Sequence, residues 1–149
     1  MNAKDYLQRI GMYDELITNK RWELAQMRSA AQGITSYSES IMIGKELHNM
    51  EKVQSSGSPQ RMADTICSYV DMARTIEEAL IRWEKKKQAI IDTIQTLPVN
   101  EYRVLHMVYV RKISLQEAAT ECDRSYSWAK GKHASGLESL QRILDEREA

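Results

Sequence analysis

The chain contains three histidines (His48, His106, His133) and two cysteines (Cys67, Cys122) among 149 residues. No histidine stands at a metal-closing spacing from a cysteine or a carboxylate, so no zinc site or other metal centre is expected. Glycine-rich phosphate loops and the Gly-x-Ser-x-Gly elbow are both missing. Glu77, Glu78 and Glu84, with Lys85 to Lys87 after them, read as a solvated helix face. His133 falls on an apolar face, where a hydrogen-bonded core role is expected. The residues therefore predict neither an enzyme nor a cofactor. What remains is a set of cations and aromatics near the end. Arg124, Lys130 and Lys132 lie in a stretch without acids that also holds Tyr126, Ser127, Trp128 and Gly131. A second acid-free run carries Arg103, Arg111 and Lys112. Cations grouped this way neutralise backbone phosphates, and side chains in the first turn of a helix can reach base edges. Net charge is zero, which excludes coating of nucleic acid by bulk attraction and leaves local clustering to decide.

Positioning such a set requires short, well-capped helices, and the pattern supplies them. Pro98 ends whatever helix precedes it. Residues 100–112 place Val104, Leu105, Val108 and Tyr109 on one helical face. Ser114 caps the next helix, with Glu117 completing a capping box; Leu115, Ala118, Ala119 and Cys122 point inward. Asp123 occupies the turn, where left-handed backbone angles are needed and aspartate tolerates them. Ser125 then caps a longer helix with the inner face Ala129, His133, Gly136, Leu137 and Leu140. Rotation by about 100° per residue turns Ser127, Gly131, Ala134 and Ser135 outward, with Lys130 on one flank and Trp128 and Lys132 on the other. Trp128 itself is expected to pack as core.

Upstream, two stripes of inward positions alternate in steps of four and three. One runs Tyr6, Ile10, Tyr13, Ile17, Lys20, Leu24, Met27, Ala31. The other runs Met62, Ile66, Tyr69, Ala73, Ile76, Leu80, Trp83, Lys87, Ile90, Ile94, Leu97. These are heptad seams of a coiled-coil-like antiparallel helical hairpin. Lys20 and Lys87 sit inside the seams, where a lysine either fixes register or snorkels its head outward; the second is expected. Trp22 and Trp83 are expected to pack. Ser55-Ser56-Gly57-Ser58-Pro59 is the clearest linker, and an irregular segment is expected over about 35–59, with a weak helical pattern from Ser40 to Val53. Two reduced, buried thiols are the expectation for the cysteines. The fold expected is all-α: a helical hairpin over 1–97, then a helix-turn-helix domain over 98–149.

Leu97-Pro98 followed by Glu101-Tyr102-Arg103-Val104-Leu105, then Ser114-Leu115-Gln116-Glu117-Ala118-Ala119, Ser125-Tyr126-Ser127-Trp128-Ala129 and Gly136-Leu137, resembles region 4 of sigma factors in order and spacing. With Met1 to Leu7 and the hairpin included, the layout resembles small phage and prophage regulators akin to the ArpU and RinA late-transcription proteins. The resemblance implies control of phage genes, as an activator of late genes acting with host RNA polymerase. Where the sigma pattern has glycine and an aliphatic residue in its turn, this chain has Asp123 and Arg124; where that pattern is basic further on, it has Gly131, Ala134 and Ser135.

The expected partners are double-stranded DNA, bacterial RNA polymerase and a second copy in a homodimer. The DNA contacts fall to Arg111, Lys112, Arg124, Tyr126, Ser127, Trp128, Lys130, Gly131 and Lys132. Two other readings compete: a DNA-packaging protein of the terminase small-subunit type, and an interaction module that has lost DNA binding. No run of eighteen apolar residues spans a membrane, and the first residues lack a secretory pattern, so a place in the bacterial cytoplasm is expected.

Overall fold

In the computed structural model the backbone is described for residues 1–47 and 59–149, and the side chains for 1–33 and 60–149. Among the described residues every regular element is a helix, and none is a strand. Helix α1 is Ala3–Leu47 and α2 is Pro59–Gln95. After Pro98 come α3 (Val99–Leu105) and a π-helical turn (His106–Val110), then α4 (Leu115–Glu121) and α5 (Tyr126–Glu148). The helical backbone of α1 continues to Leu47, into the segment expected to be irregular from residue 35. Residues 48–58, with the serine-rich linker and the end of the Ser40–Val53 pattern, lie outside the described residues.

The chain forms two compact units, one of Met1–Ile17 with Arg82–Ala149, the other of Thr18–Ile81. The boundary drawn at Pro98 from the sequence thus runs through the first unit. In that unit Tyr6 meets Thr93 and Asp14 meets Lys87, so rising numbers on α1 face falling numbers on α2. The two helices are antiparallel there, as expected of two seams joined in a hairpin. Leu7, Ile10 and Ile94 of this pair are fully buried, together with Val104, Leu105 and Leu140 from α3 and α5. One core therefore serves the hairpin's ends and the C-terminal helices alike. Chain ends reinforce it: the Ala3 amide donates to Gln141 Oε1 (2.8 Å), whose Nε2 donates to the Met1 carbonyl (3.0 Å). Thr93 is buried yet satisfied. Its hydroxyl donates to the Ala89 carbonyl (2.8 Å), accepts from Arg147 Nη1 (3.1 Å) and lies 3.3 Å from the Tyr6 hydroxyl.

Every described seam position is buried or half-buried. Lys87 does not snorkel into solvent; its Nζ meets Asp14 Oδ1 of α1 at 2.5 Å, so this seam lysine fixes register by charge. In the second unit Lys20 pairs with Glu23 one turn along its own helix (2.8 Å), and Arg28 bridges to Glu77 (2.8 Å). Two packing expectations fail. Trp22 is 65% exposed, and Cys67 is an exposed thiol, while Cys122 is half-buried. A heptad pattern marks one stripe of each helix, and both residues fall outside the stripes.

Candidate nucleic-acid interface

The small residues at the α4–α5 crossing set the geometry of the site. Ala118 and Ala129 have no exposed surface and Ala119 has 3%; methyl side chains allow two helices to approach closely. Ser114 accepts from the Glu117 amide while the Glu117 carboxylate accepts from the Ser114 amide, a complete capping box. The turn closes as a Schellman motif. Asp123 takes φ 52°, its amide donates to the Thr120 carbonyl (3.1 Å) and the Arg124 amide to the Ala119 carbonyl (3.0 Å). Ser125 Oγ accepts from the Trp128 amide at 3.2 Å and starts α5. Aspartate thus fills the left-handed position, as its backbone tolerance allows.

The helix before α4 is not the regular one expected over 100–112. After Leu105 it widens, and the Arg111 amide reaches back five residues to the His106 carbonyl (3.0 Å). Such a π turn inserts an extra residue and rotates the following face. Met107 is consequently buried, whereas Val108 and Tyr109 are half-buried. Lys112 ends the turn at φ 58°, and the Ile113 amide closes it on the Met107 carbonyl (3.1 Å).

On α5, Ser127, Lys130, Gly131 and Ala134 are exposed, and Tyr126 is 51% exposed. Ser135, placed outward from the sequence, is half-buried, as is Lys132. Two cation–aromatic pairs each join residues four apart in the chain. The Arg124 guanidinium lies 5.7 Å from the centroid of half-buried Trp128, and Lys130 Nζ lies 5.5 Å from that of Tyr126. The start of α5 thus carries one such pair on each flank, Lys130 with Tyr126 on one and Arg124 with Trp128 on the other, beside exposed Ser127 and Gly131.

Arg111 and Lys112 are held differently. Arg111 makes a bidentate pair with Glu121 of α4 (2.5 and 2.8 Å). Lys112 Nζ lies 3.2 Å from Asp14 Oδ2, the carboxylate that also holds Lys87. Burial pushes the Asp14 pKa up, but hydrogen bonds and charge from Lys87 and Lys112 outweigh it and hold the group below its ordinary value. Glu121 is likewise held low by its hydrogen bond to Arg111. Sequence reasoning passed over both carboxylates. Glu121 was within reach of it, because a carboxylate on α4 can meet the end of the preceding helix; nothing local to Asp14 pointed to Lys112.

Behind the exposed face, His133 of α5 stacks on Tyr109 (centroids 5.8 Å apart), and its Nε2 lies 3.1 Å from the Tyr109 hydroxyl. Burial lowers the His133 pKa, with a smaller push from Lys4, and raises that of Tyr109. His106 leans on Tyr102 and is also lowered, first by burial and then by Arg111. Among the described residues no three histidine, cysteine or carboxylate side chains gather as a metal site, and no helix is long and apolar enough to cross a membrane. No family model, no curated protein and no solved structure matches the chain.

Proposed function

We propose that the protein is a sequence-specific binder of double-stranded DNA that regulates transcription, with α4 as the supporting helix and α5 as the reading helix of a helix-turn-helix. The observation that carries this reading is the exposed, acid-free start of α5. Arg124, Tyr126, Ser127, Lys130 and Gly131 project there from a helix fixed by a side-chain cap, a left-handed turn and a close alanine crossing. Arg124 and Lys130 serve phosphates, Tyr126 and Ser127 reach base edges, and Lys132 and Trp128 flank the contact. The resemblance to sigma region 4 and to phage late regulators supports an activator that works beside bacterial RNA polymerase in the host cytoplasm. The hairpin then serves a second copy or the polymerase. A homodimer reads two half-sites about one helical turn, or a multiple of it, apart.

Selection of duplexes from a random pool at moderate salt, followed by footprinting, tests the reading. An enriched, protected motif is expected, and its absence overturns the proposal. Light scattering on the same sample is expected to give the mass of two chains. A second reading, an interaction module without DNA binding, draws on the pairing of Arg111 and Lys112 with carboxylates of the same chain. Lys130→Glu with Lys132→Glu separates the two: the first reading requires loss of duplex binding, the second requires regulation in a reporter to persist.

A further inference from the structure

Two of the cations beside α4 already have anions on them. Arg111 is gripped in a fork-to-fork pair by Glu121, the geometry with which a guanidinium also grips a phosphate. Lys112 is fixed in a left-handed backbone conformation with its ammonium 3.2 Å from Asp14. Asp14 is in turn anchored by Lys87 in the hairpin seam, which keeps the carboxylate in place. Both acids come from elements outside the exposed start of α5, and both partners are exposed to solvent. Arg124 and Lys130 at that start rest on aromatic rings instead. The cations thus fall into two classes, one neutralised internally and one left charged on an aromatic support.

We propose that Asp14 and Glu121 temper DNA affinity by standing in for DNA phosphates on Lys112 and Arg111. The proposal rests on the DNA-binding reading above. Each carboxylate removes one phosphate contact from binding to arbitrary sequence, because a cation already paired releases no counterion from the duplex. Sequence-independent attraction is lowered, while contacts made by the start of α5 keep their full weight. The part lost is common to every duplex, so affinity for specific and random sites falls together and the complex becomes less dependent on salt.

The test measures binding of the full chain to a duplex of random sequence as a function of salt. Asp14→Asn is expected to steepen the log–log salt slope by about 0.9, an extra loss of about threefold between roughly 50 and 200 mM salt. Adding Lys112→Gln to that variant is expected to remove the gain. Glu121→Gln, on an exposed pair, is expected to steepen the slope by a similar step through Arg111, and it decides the matter should Asp14→Asn fail to fold by circular dichroism. Slopes equal to that of the unaltered protein in the folded variants overturn this inference alone. A chain with no salt-dependent binding to any duplex overturns the DNA-binding reading with it.

Discussion

Gly131 and Gly136 both lie inside α5, yet alanine at the two positions meets opposite surroundings. A methyl group at Gly131 finds no atom within 4 Å, whereas at Gly136 it comes 3.0 Å from Leu105 Cδ1 and 3.2 Å from its Cγ. Gly131→Ala should therefore stabilise the protein by about 1 kcal/mol, the ordinary helix penalty of glycine. Gly136→Ala should fall short of that gain, because fully buried Leu105 has to move. Urea midpoints measure the difference, and a larger gain at Gly136 would contradict the packing of α5 on α3. Titration belongs to this scale too. His106 and His133 both have lowered pKa values, with burial as the main cause. Between those values and the unfolded one the unfolded chain binds more protons than the folded chain. Stability from these groups is therefore complete above the ordinary pKa of about 6.5 and declines as the pH falls below it. Lowering the pH from about 7.5 to 5.5 should reduce the urea midpoint, and His106→Gln with His133→Gln should flatten the change. Asp14 and Glu121 are held below the ordinary carboxylate range, so their contribution stays intact over that window.

Caps and turns decide the elements. Ser114 makes both halves of a capping box on a helix of seven residues, too short to persist without tertiary support. Ser114→Ala should remove about 1 kcal/mol of stability, readable by chemical denaturation. Asp123 sits at φ 52°, where a β-carbon crowds the backbone. Asp123→Ala should be destabilised by about 1–2 kcal/mol relative to Asp123→Gly. Equal stabilities would mean that the turn relaxes when substituted. Both serine caps and the aspartate turn were legible in the sequence, because each signal is local and spans three or four residues. The π turn at His106–Val110 was not. Its apolar residues fit a regular helix equally well, so no local pattern marks the wider spacing that comes with the burial of Met107.

For the molecule as a whole, the consequential feature is the shared core of the first unit. Leu7 and Ile10 of α1 and Ile94 of α2 are as fully buried as Leu105 and Leu140, and Arg147 near the end of α5 donates to Thr93. Residues 98–149 expressed alone should lack a cooperative unfolding transition by heat or urea, since the hairpin ends cover part of their apolar surface. In the full chain Leu7→Ala should cost about 2–5 kcal/mol. A stable, cooperative 98–149 fragment would show that the C-terminal helices carry a sufficient core by themselves.

The heptad stripes, the two serine caps, the Asp123 turn and the cations of α5 were determined by the sequence itself, because periodicity and capping act over a turn or two of backbone. The all-helical class follows from them. Tertiary structure alone decided which cations stay unneutralised and where the compact units divide. Lys87 and Lys112 meet Asp14 only after α1 and α2 pair antiparallel and the chain beyond Pro98 folds back onto their ends. Charge pairing between residues so distant in the chain depends on packing, and no local pattern encodes it.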